Sequence, residues 1–149
     1  MANRTQESRN TPNWRDERGS AAVEITMVAP VLVLFILVII FGGRLALARQ
    51  AVQSAAFDAA RAASLARTQA DARAAAAKTA AATLANQKLP CATTQLDLDT
   101  TGFARPVGTP ATVTVRLVCD VATGDLGLPG IAATVPVDAE ATSPLDVFR

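Results

Sequence analysis

The feature that most constrains this chain is a run of nineteen residues without a charge, from Ile25 to Gly43. As an α-helix rising about 1.5 Å per residue, the run extends roughly 28 Å, close to the hydrocarbon thickness of a bilayer. It is apolar on all sides, and nothing else in the chain is apolar enough to enclose it as a core helix. We therefore predict a transmembrane helix over residues 20–43, in which Pro30 is tolerated.

The composition argues against several classes of function. The chain has no histidine and only two cysteines, so it lacks histidine-based acid–base chemistry and has too few cysteines for a structural zinc site. A net charge of +1 does not provide the excess of basic residues that binds the phosphates of nucleic acid. No nucleophile elbow, glycine-rich phosphate loop or metal-spaced cluster is present. We therefore expect a protein that is not an enzyme, holds no cofactor or metal and binds no nucleic acid.

The residues on either side of the apolar run differ in character. Residues 1–19 are polar and mix arginines with acidic residues, which is typical of a disordered leader. Residues 44–89 are rich in alanine and contain no glycine or proline, which predicts one long helix that ends near Lys88, before Pro90. The large apolar residues of this helix keep no heptad, so they do not support a coiled coil: Leu45, Leu47, Val52, Phe57, Leu65 and Leu84.

Residues 90–149 carry the pattern of strands. Residues 111–121 alternate apolar and polar side chains, the period of a half-buried strand, and residues 94–99 and 132–141 are weaker strand candidates. Turn sequences separate them. The predicted fold class is therefore α+β, a long N-terminal helix followed by a small antiparallel sheet. Four carboxylates could in principle form a calcium site, but we interpret them as scattered surface acids: Asp97, Asp99, Asp120 and Asp125.

The two cysteines, Cys91 and Cys119, are candidates for a disulfide. If paired they close a loop of 28 residues, which stabilises by roughly 3–4 kcal/mol in the chain-entropy model. The alternative is two buried free thiols. An exported location favours the disulfide.

The junction of leader and apolar run carries the most informative motif, Arg18-Gly19-Ser20-Ala21-Ala22-Val23-Glu24. A carboxylate at the edge of a membrane helix is costly unless it has a partner. Glycine followed by glutamate ahead of an apolar helix resembles the processing site of the type IV pilin superfamily, which a prepilin peptidase cuts after the glycine. This resemblance implies a cut between Gly19 and Ser20. Such a cut would create an ammonium four residues before Glu24, which can pair with that carboxylate in the same chain or in a neighbouring subunit.

The wider sequence resembles the TadE-like family, the pseudopilins of the tight-adherence (Tad, or Flp) pilus. The resemblance is carried by residues 15–24, Ala29-Pro30-Val31-Leu32, residues 41–45 and residues 48–53. It departs from the family at 58–60, where a Glu-Gly pair commonly stands. The resemblance implies a minor pilin with residues 1–19 as a cleaved cytoplasmic leader. Residues 44–89 and 90–149 would lie outside the inner membrane, and the partners would be prepilin peptidase, other pilins, Tad assembly proteins and the lipid bilayer.

An ordinary signal peptide is the alternative interpretation. Residues 31–41 could serve as its apolar region, and Ala46-Leu47-Ala48 fits a cleavage site, so that a small secreted or anchored interaction protein would begin at Arg49. The long apolar run and Glu24 directly before it argue against this alternative. The N-terminal residue of the exported chain, Ser20 or Arg49, separates the two interpretations.

Overall fold

The computed structural model describes the backbone of residues 16–122 and 133–146, and the side chains from Ile25 onward within those ranges. The chain divides into two compact units, Met1–Gly42 and Gly43–Arg149. The elements are helices α1 (Asp16–Ser64) and α2 (Gln69–Asn86), strand β1 (Cys91–Asp99), a 3-10 turn (Thr101–Ala104), and strands β2 (Thr112–Ala122) and β3 (Thr134–Pro144). The predicted α+β class is confirmed. Residues 1–15 of the predicted leader lie outside the described residues.

The described part of the first unit is the N-terminal part of α1. Twelve large apolar side chains between Ile25 and Ile40 are each at least 45% exposed, and they cover every side of the helix. Pro30 lies inside the helix without ending it. Among the helices that the structure describes, α1 is the one long and apolar enough to cross a membrane.

The alanine-rich stretch forms two helices, where the sequence predicted one over residues 44–89. Helix α1 ends at Ser64, whose hydroxyl donates to the Arg61 carbonyl at 2.8 Å. Helix α2 begins after Thr68, whose hydroxyl oxygen accepts from the backbone N–H of Asp71 at 3.1 Å and so caps the helix. The break thus comes from short polar side chains that satisfy backbone groups at the helix ends, with no glycine or proline.

Helix α2 ends at Asn86, within two residues of the predicted end at Lys88. Lys88 has φ = 54°, in the left-handed region, and its N–H donates to the Ala85 carbonyl at 3.0 Å. The N–H of Leu89 donates to the Leu84 carbonyl at 3.2 Å. This pair of bonds is the Schellman motif, in which glycine is the usual residue at the left-handed position.

The three strands form an antiparallel sheet in the order β1-β2-β3. In β2 the predicted face, which includes Val113, Val115 and Leu117, is fully buried. The weaker candidate at 94–99 is confirmed as part of β1, and the candidate at 132–141 overlaps β3 from Thr134 onward. One face of the sheet packs on the helices, and the other face is exposed.

The core of the second unit joins the sheet to alanines of both helices. Residues Ala48, Ala51, Val52, Ala55, Ala56, Ala59, Ala60 and Ala63 form the buried stripe of α1. In α2 the buried positions are Ala72, Ala76, Ala80 and Leu84. Large size does not decide burial here: Val52 and Leu84 are buried, whereas Leu47 and Phe57 of α1, and Leu65 just after it, are more than half exposed.

Candidate functional site

The three residues of the proposed processing and assembly site lie near the start of α1. Gly19, Ser20 and Glu24 all have helical backbone in the uncut chain. Ser20 and Glu24 are four residues apart, which is one helical turn and about 6 Å along the axis. Their side chains lie outside the described residues. The backbone thus brings together the positions at which a new ammonium and a carboxylate would stand after a cut.

The apolar segment of α1 is bounded by charged residues. Glu24 is the last ionisable residue before the segment and Arg44 is the first after it. All the residues from Ile25 to Gly43 between them are helical. The structure therefore contains one continuous helix that changes from charged to apolar and back to charged over a length suited to a bilayer.

Side-chain hydrogen bonds attach the C-terminal part of α1 to the rest of the second unit. Gln53 Nε2 donates to the Glu140 carbonyl of β3 at 3.3 Å, and the Ser143 hydroxyl donates to the Ser64 hydroxyl at 3.0 Å. The Thr83 hydroxyl of α2 donates to the Asp58 carboxylate at 3.1 Å. Together with the alanine stripe, these contacts hold the C-terminal part of α1 against α2 and β3, so that this part belongs to the fold of the second unit.

A disulfide joins Cys91, the first residue of β1, to Cys119 in β2, with 5.4 Å between the Cα atoms. The pairing register of β1 shifts between Cys91 and Thr93, so that Cys91 stands opposite Val121 instead of Ala122. This one-residue irregularity brings Cys91 onto the buried face of β2 that carries Cys119. The disulfide therefore fixes the exit from α2 to the central strand.

The exposed face of the sheet, which we call the outer sheet face, is acidic with one basic residue at its centre. Arg116 of β2 stands directly opposite Asp97 of β1 and Glu140 of β3, and its guanidinium lies 3.6 Å from the Asp138 carboxylate. Asp99 and Asp120 lie on the same face by register. The outer sheet face thus carries five carboxylates and one guanidinium, and one of these carboxylates, that of Asp138, forms an ion pair with it.

A shallow cavity of about 420 Å³ lies where the 3-10 turn meets the ends of the strands. The Thr101 backbone N–H donates to the Asp99 carboxylate at 2.9 Å and, together with the Thr101 hydroxyl, holds the pKa of Asp99 below its usual value. A Cβ on Gly102 would come within 2.2 Å of the Thr112 carbonyl oxygen, so this close approach requires glycine. The Asp99 carboxylate in this cavity thus stabilises the 3-10 turn by accepting a hydrogen bond from its backbone.

Three of the four candidate calcium ligands, Asp97, Asp99 and Asp120, share the outer sheet face but do not converge into a metal-binding group. Among residues 16–122 and 133–146, no three Asp, Glu, His or Cys side chains form a group able to hold a metal ion. Asp120 instead accepts a hydrogen bond from the Thr93 hydroxyl. Asp125 lies outside the described residues.

Part of the chain is similar to a known protein family. The family model described as TadE-like protein matches residues 19–61, which confirms the family resemblance over that segment. No curated protein and no solved structure matches the chain significantly. The matched segment begins at Gly19 and ends three residues before the end of α1.

Proposed function

We propose that this chain is a minor pilin of the TadE-like type, anchored in the cell membrane by residues 20–43, that takes part in assembly of a tight-adherence pilus. A prepilin peptidase cuts it between Gly19 and Ser20. Residues 1–19 face the cytoplasm, and residues 44–149 lie outside the membrane. Its role is structural, and no catalytic step is assigned to it.

The observation that carries the proposal is that the family match coincides with one structural element. Residues 19–61 contain Gly19, Glu24, the exposed apolar segment and nearly all of the alanine stripe of α1. A pilin needs three parts in this order: a cleavage position, a membrane segment and a helix that carries the exported domain.

The exposed apolar segment requires an apolar surrounding. Burying one Val, Leu, Ile, Phe or Met side chain stabilises a protein by about 1.5–3 kcal/mol. Moving the twelve exposed side chains from water into an apolar environment would therefore contribute on the order of 20 kcal/mol. That exceeds the whole folding stability of a typical domain, about 5–15 kcal/mol. The length of the segment suits a lipid bilayer, and a bundle of similar helices would also cover it after assembly.

The cut after Gly19 fits the backbone at this position. Gly19 is the fourth residue of α1, so the Gly19–Ser20 bond lies in the first turn of the helix, where helices open more readily than in their interior. Glycine has no Cβ, which allows a peptidase to approach the backbone closely. A bulky side chain at position 19 obstructs that approach.

Glu24 acts after the cut. Its carboxylate lies at the edge of an apolar segment, where an unpaired charge is costly. The ammonium of Ser20, one turn earlier, or that of a neighbouring subunit supplies the opposite charge. The carboxylate also interacts favourably with the positive end of the helix dipole that the cut creates.

The signal-peptide alternative is disfavoured by the packing of α1. A cut after Ala48 would fall inside the helix, at a residue that is only 2% exposed and belongs to the core of the second unit. The family match also continues for thirteen residues beyond that position. We therefore retain the pilin proposal alone.

The test is the N-terminal mass of the full chain made in cells with and without a prepilin peptidase, for the parent, Gly19→Leu and Glu24→Ala. The parent should begin at Ser20 only when the peptidase is present. Gly19→Leu should keep its leader, and Gly19→Ala, which adds a single methyl group, should be cut less than the parent but more than Gly19→Leu. Glu24→Ala should be cut but should co-isolate poorly with other pilins.

Each result has a definite meaning. A Gly19→Leu chain that begins at Ser20 would show that the pilin-type cleavage assignment is wrong. A parent chain that begins at Arg49 would establish the signal peptide instead. A Glu24→Ala chain that assembles like the parent would remove the charge-pair role and leave the cleavage site standing.

A further inference from the structure

The two layers of the second unit carry opposite charge. In residues 43–89, seven basic residues stand against two acidic ones. In the described residues from 90 to 146, six acidic residues stand against two basic ones. When one side of a domain is acidic and the other is basic, the acidic side of one copy is complementary in charge to the basic side of another copy.

The acidic side is the outer sheet face. Arg116, the single cation at its centre, already has acidic neighbours on both sides, Asp97 and Glu140, and an ion pair with Asp138. Asp99 and Asp120 add two further carboxylates. The guanidinium offsets one of the five negative charges, so the face keeps an excess of negative charge available to a partner.

The basic side is the outward helix face, which we define by Phe57, Arg61 and Lys78. Arg61 lies two residues from both Ala59 and Ala63, which are fully buried, and two helical residues turn the side chain by about 200°. Lys78 has the same relation to buried Ala76 and Ala80 in α2. Both cations therefore point away from the core, and Phe57, 57% exposed, lies one turn from Arg61.

We propose that the outer sheet face of one copy docks on the outward helix face of a second copy. The complementary signs favour this front-to-back arrangement. Sheet against sheet would oppose two acidic faces, and helix against helix would oppose two basic ones, so charge selects the mixed pairing. Because the two surfaces are different, each copy keeps one of them free for a further copy, and the contact extends to a ring or an open row.

The contact is weak between free molecules. Strands of about 3.4 Å per residue spaced about 4.8 Å apart give a three-stranded face of roughly 500 Å². That is below the ~800 Å² per partner of a stable interface. Sharing one membrane raises the local concentration of copies and strengthens the contact without new interactions. This last step depends on the anchoring proposed above, whereas the charge pairing does not.

The test uses the full chain in detergent micelles with a benzophenone amino acid at position 118, where Val118 lies at the centre of the outer sheet face. Irradiation should join position 118 to residues 54–61 or 74–82 of a second copy. The yield should fall about fivefold as salt rises from 0.05 M to 0.5 M, because exposed charges are screened over that range. Coupling through the apolar helix would not depend on salt.

Two charge-reversed variants make the test sharper. The sheet variant combines Asp97→Lys, Asp138→Lys and Glu140→Lys, and the helix variant combines Arg61→Glu and Lys78→Glu. Each alone should lose most of the crosslink, because its two faces then share one sign. An equal mixture should regain at least half of the parent yield, now between the two different variants.

A control variant with the same charge change as the helix variant, Lys88→Glu with Arg105→Glu, should crosslink like the parent. The inference is overturned if this control loses the crosslink, if the mixture stays uncoupled, or if the parent yield is independent of salt. None of these results depends on leader processing, so a failure here is distinct from a failure of the pilin proposal. Recovery in the mixture also shows that both variants are folded.

Discussion

In most proteins large apolar side chains are buried in the core. The two parts of helix α1 show the opposite relation between side-chain size and burial. Between Ile25 and Ile40 its side chains are large and apolar, and they are exposed. Between Ala48 and Ala63 most side chains on the buried stripe are alanine, and they are almost completely inaccessible. The size of an apolar side chain therefore does not indicate which part of this helix lies in a protein core.

In the membrane anchoring that we propose, the difference reflects two kinds of surrounding. A bilayer offers no fixed surface to fit, so large apolar side chains on every side are favourable there. A core of two helices and a small sheet gains from close approach, which alanine permits, and from dispersion contacts at that short distance. The same helix can thus serve two environments because its composition changes near Gly43.

The largest expected effect is loss of the disulfide. Replacing both cysteines by alanine, as Cys91→Ala with Cys119→Ala, should reduce the free energy of unfolding of the second unit by about 3–4 kcal/mol. Hydrogen exchange of the full chain in nanodiscs should show faster exchange in β1 and β2 and unchanged exchange over residues 26–40. Equally faster hydrogen exchange in the strands and in residues 26–40 would mean that the disulfide stabilises both regions, which would contradict the prediction.

A second prediction concerns the alanine stripe. Ala59→Leu should destabilise the second unit by about 1–3 kcal/mol, because Ala59 is fully buried and the leucine side chain has no space. Ala46→Leu is the matched control on an exposed position of the same helix, and its effect should be within about 0.5 kcal/mol. Denaturation of both variants in micelles measures the difference. Equal effects would show that the stripe is not closely packed.

A smaller effect is expected at the end of α2. Lys88→Gly should stabilise the second unit by about 0.5–1 kcal/mol, because Lys88 has a left-handed backbone that glycine adopts without strain. Gln87→Gly, one residue earlier with φ = −83°, is the control and should give no gain. The same denaturation experiment measures both. A loss of stability in Lys88→Gly would contradict the Schellman geometry.

Several elements could be predicted from the sequence because their patterns are strong. The alternation in residues 111–121 has the period of a strand, and it located both β2 and its buried face. The absence of charge from Ile25 to Gly43 likewise located the exposed apolar helix. The match at residues 19–61 confirms the resemblance that the motifs at the start of this helix indicated.

Other features gave weaker signals. The break at residues 65–68 was missed because it contains no glycine or proline, yet Thr68 and Asp71 have the spacing of a capping box. The alanine stripe gave a weak signal because alanine occupies buried and exposed positions of these helices alike. Its spacing of three and four residues was visible. The register shift in β1 and the contact between Gln53 and Glu140 depend on tertiary packing and leave no local pattern.

The central claim is that the two parts of α1 lie in lipid and in a protein core. The most direct measurement is labelling of the full chain in nanodiscs by a photoactivated carbene attached to a lipid acyl chain, with the labelled residues located by mass spectrometry. The account predicts label between Ile25 and Phe41 and none on the buried stripe from Ala51 to Ala63. Label on that stripe, or none between Ile25 and Phe41, would contradict it.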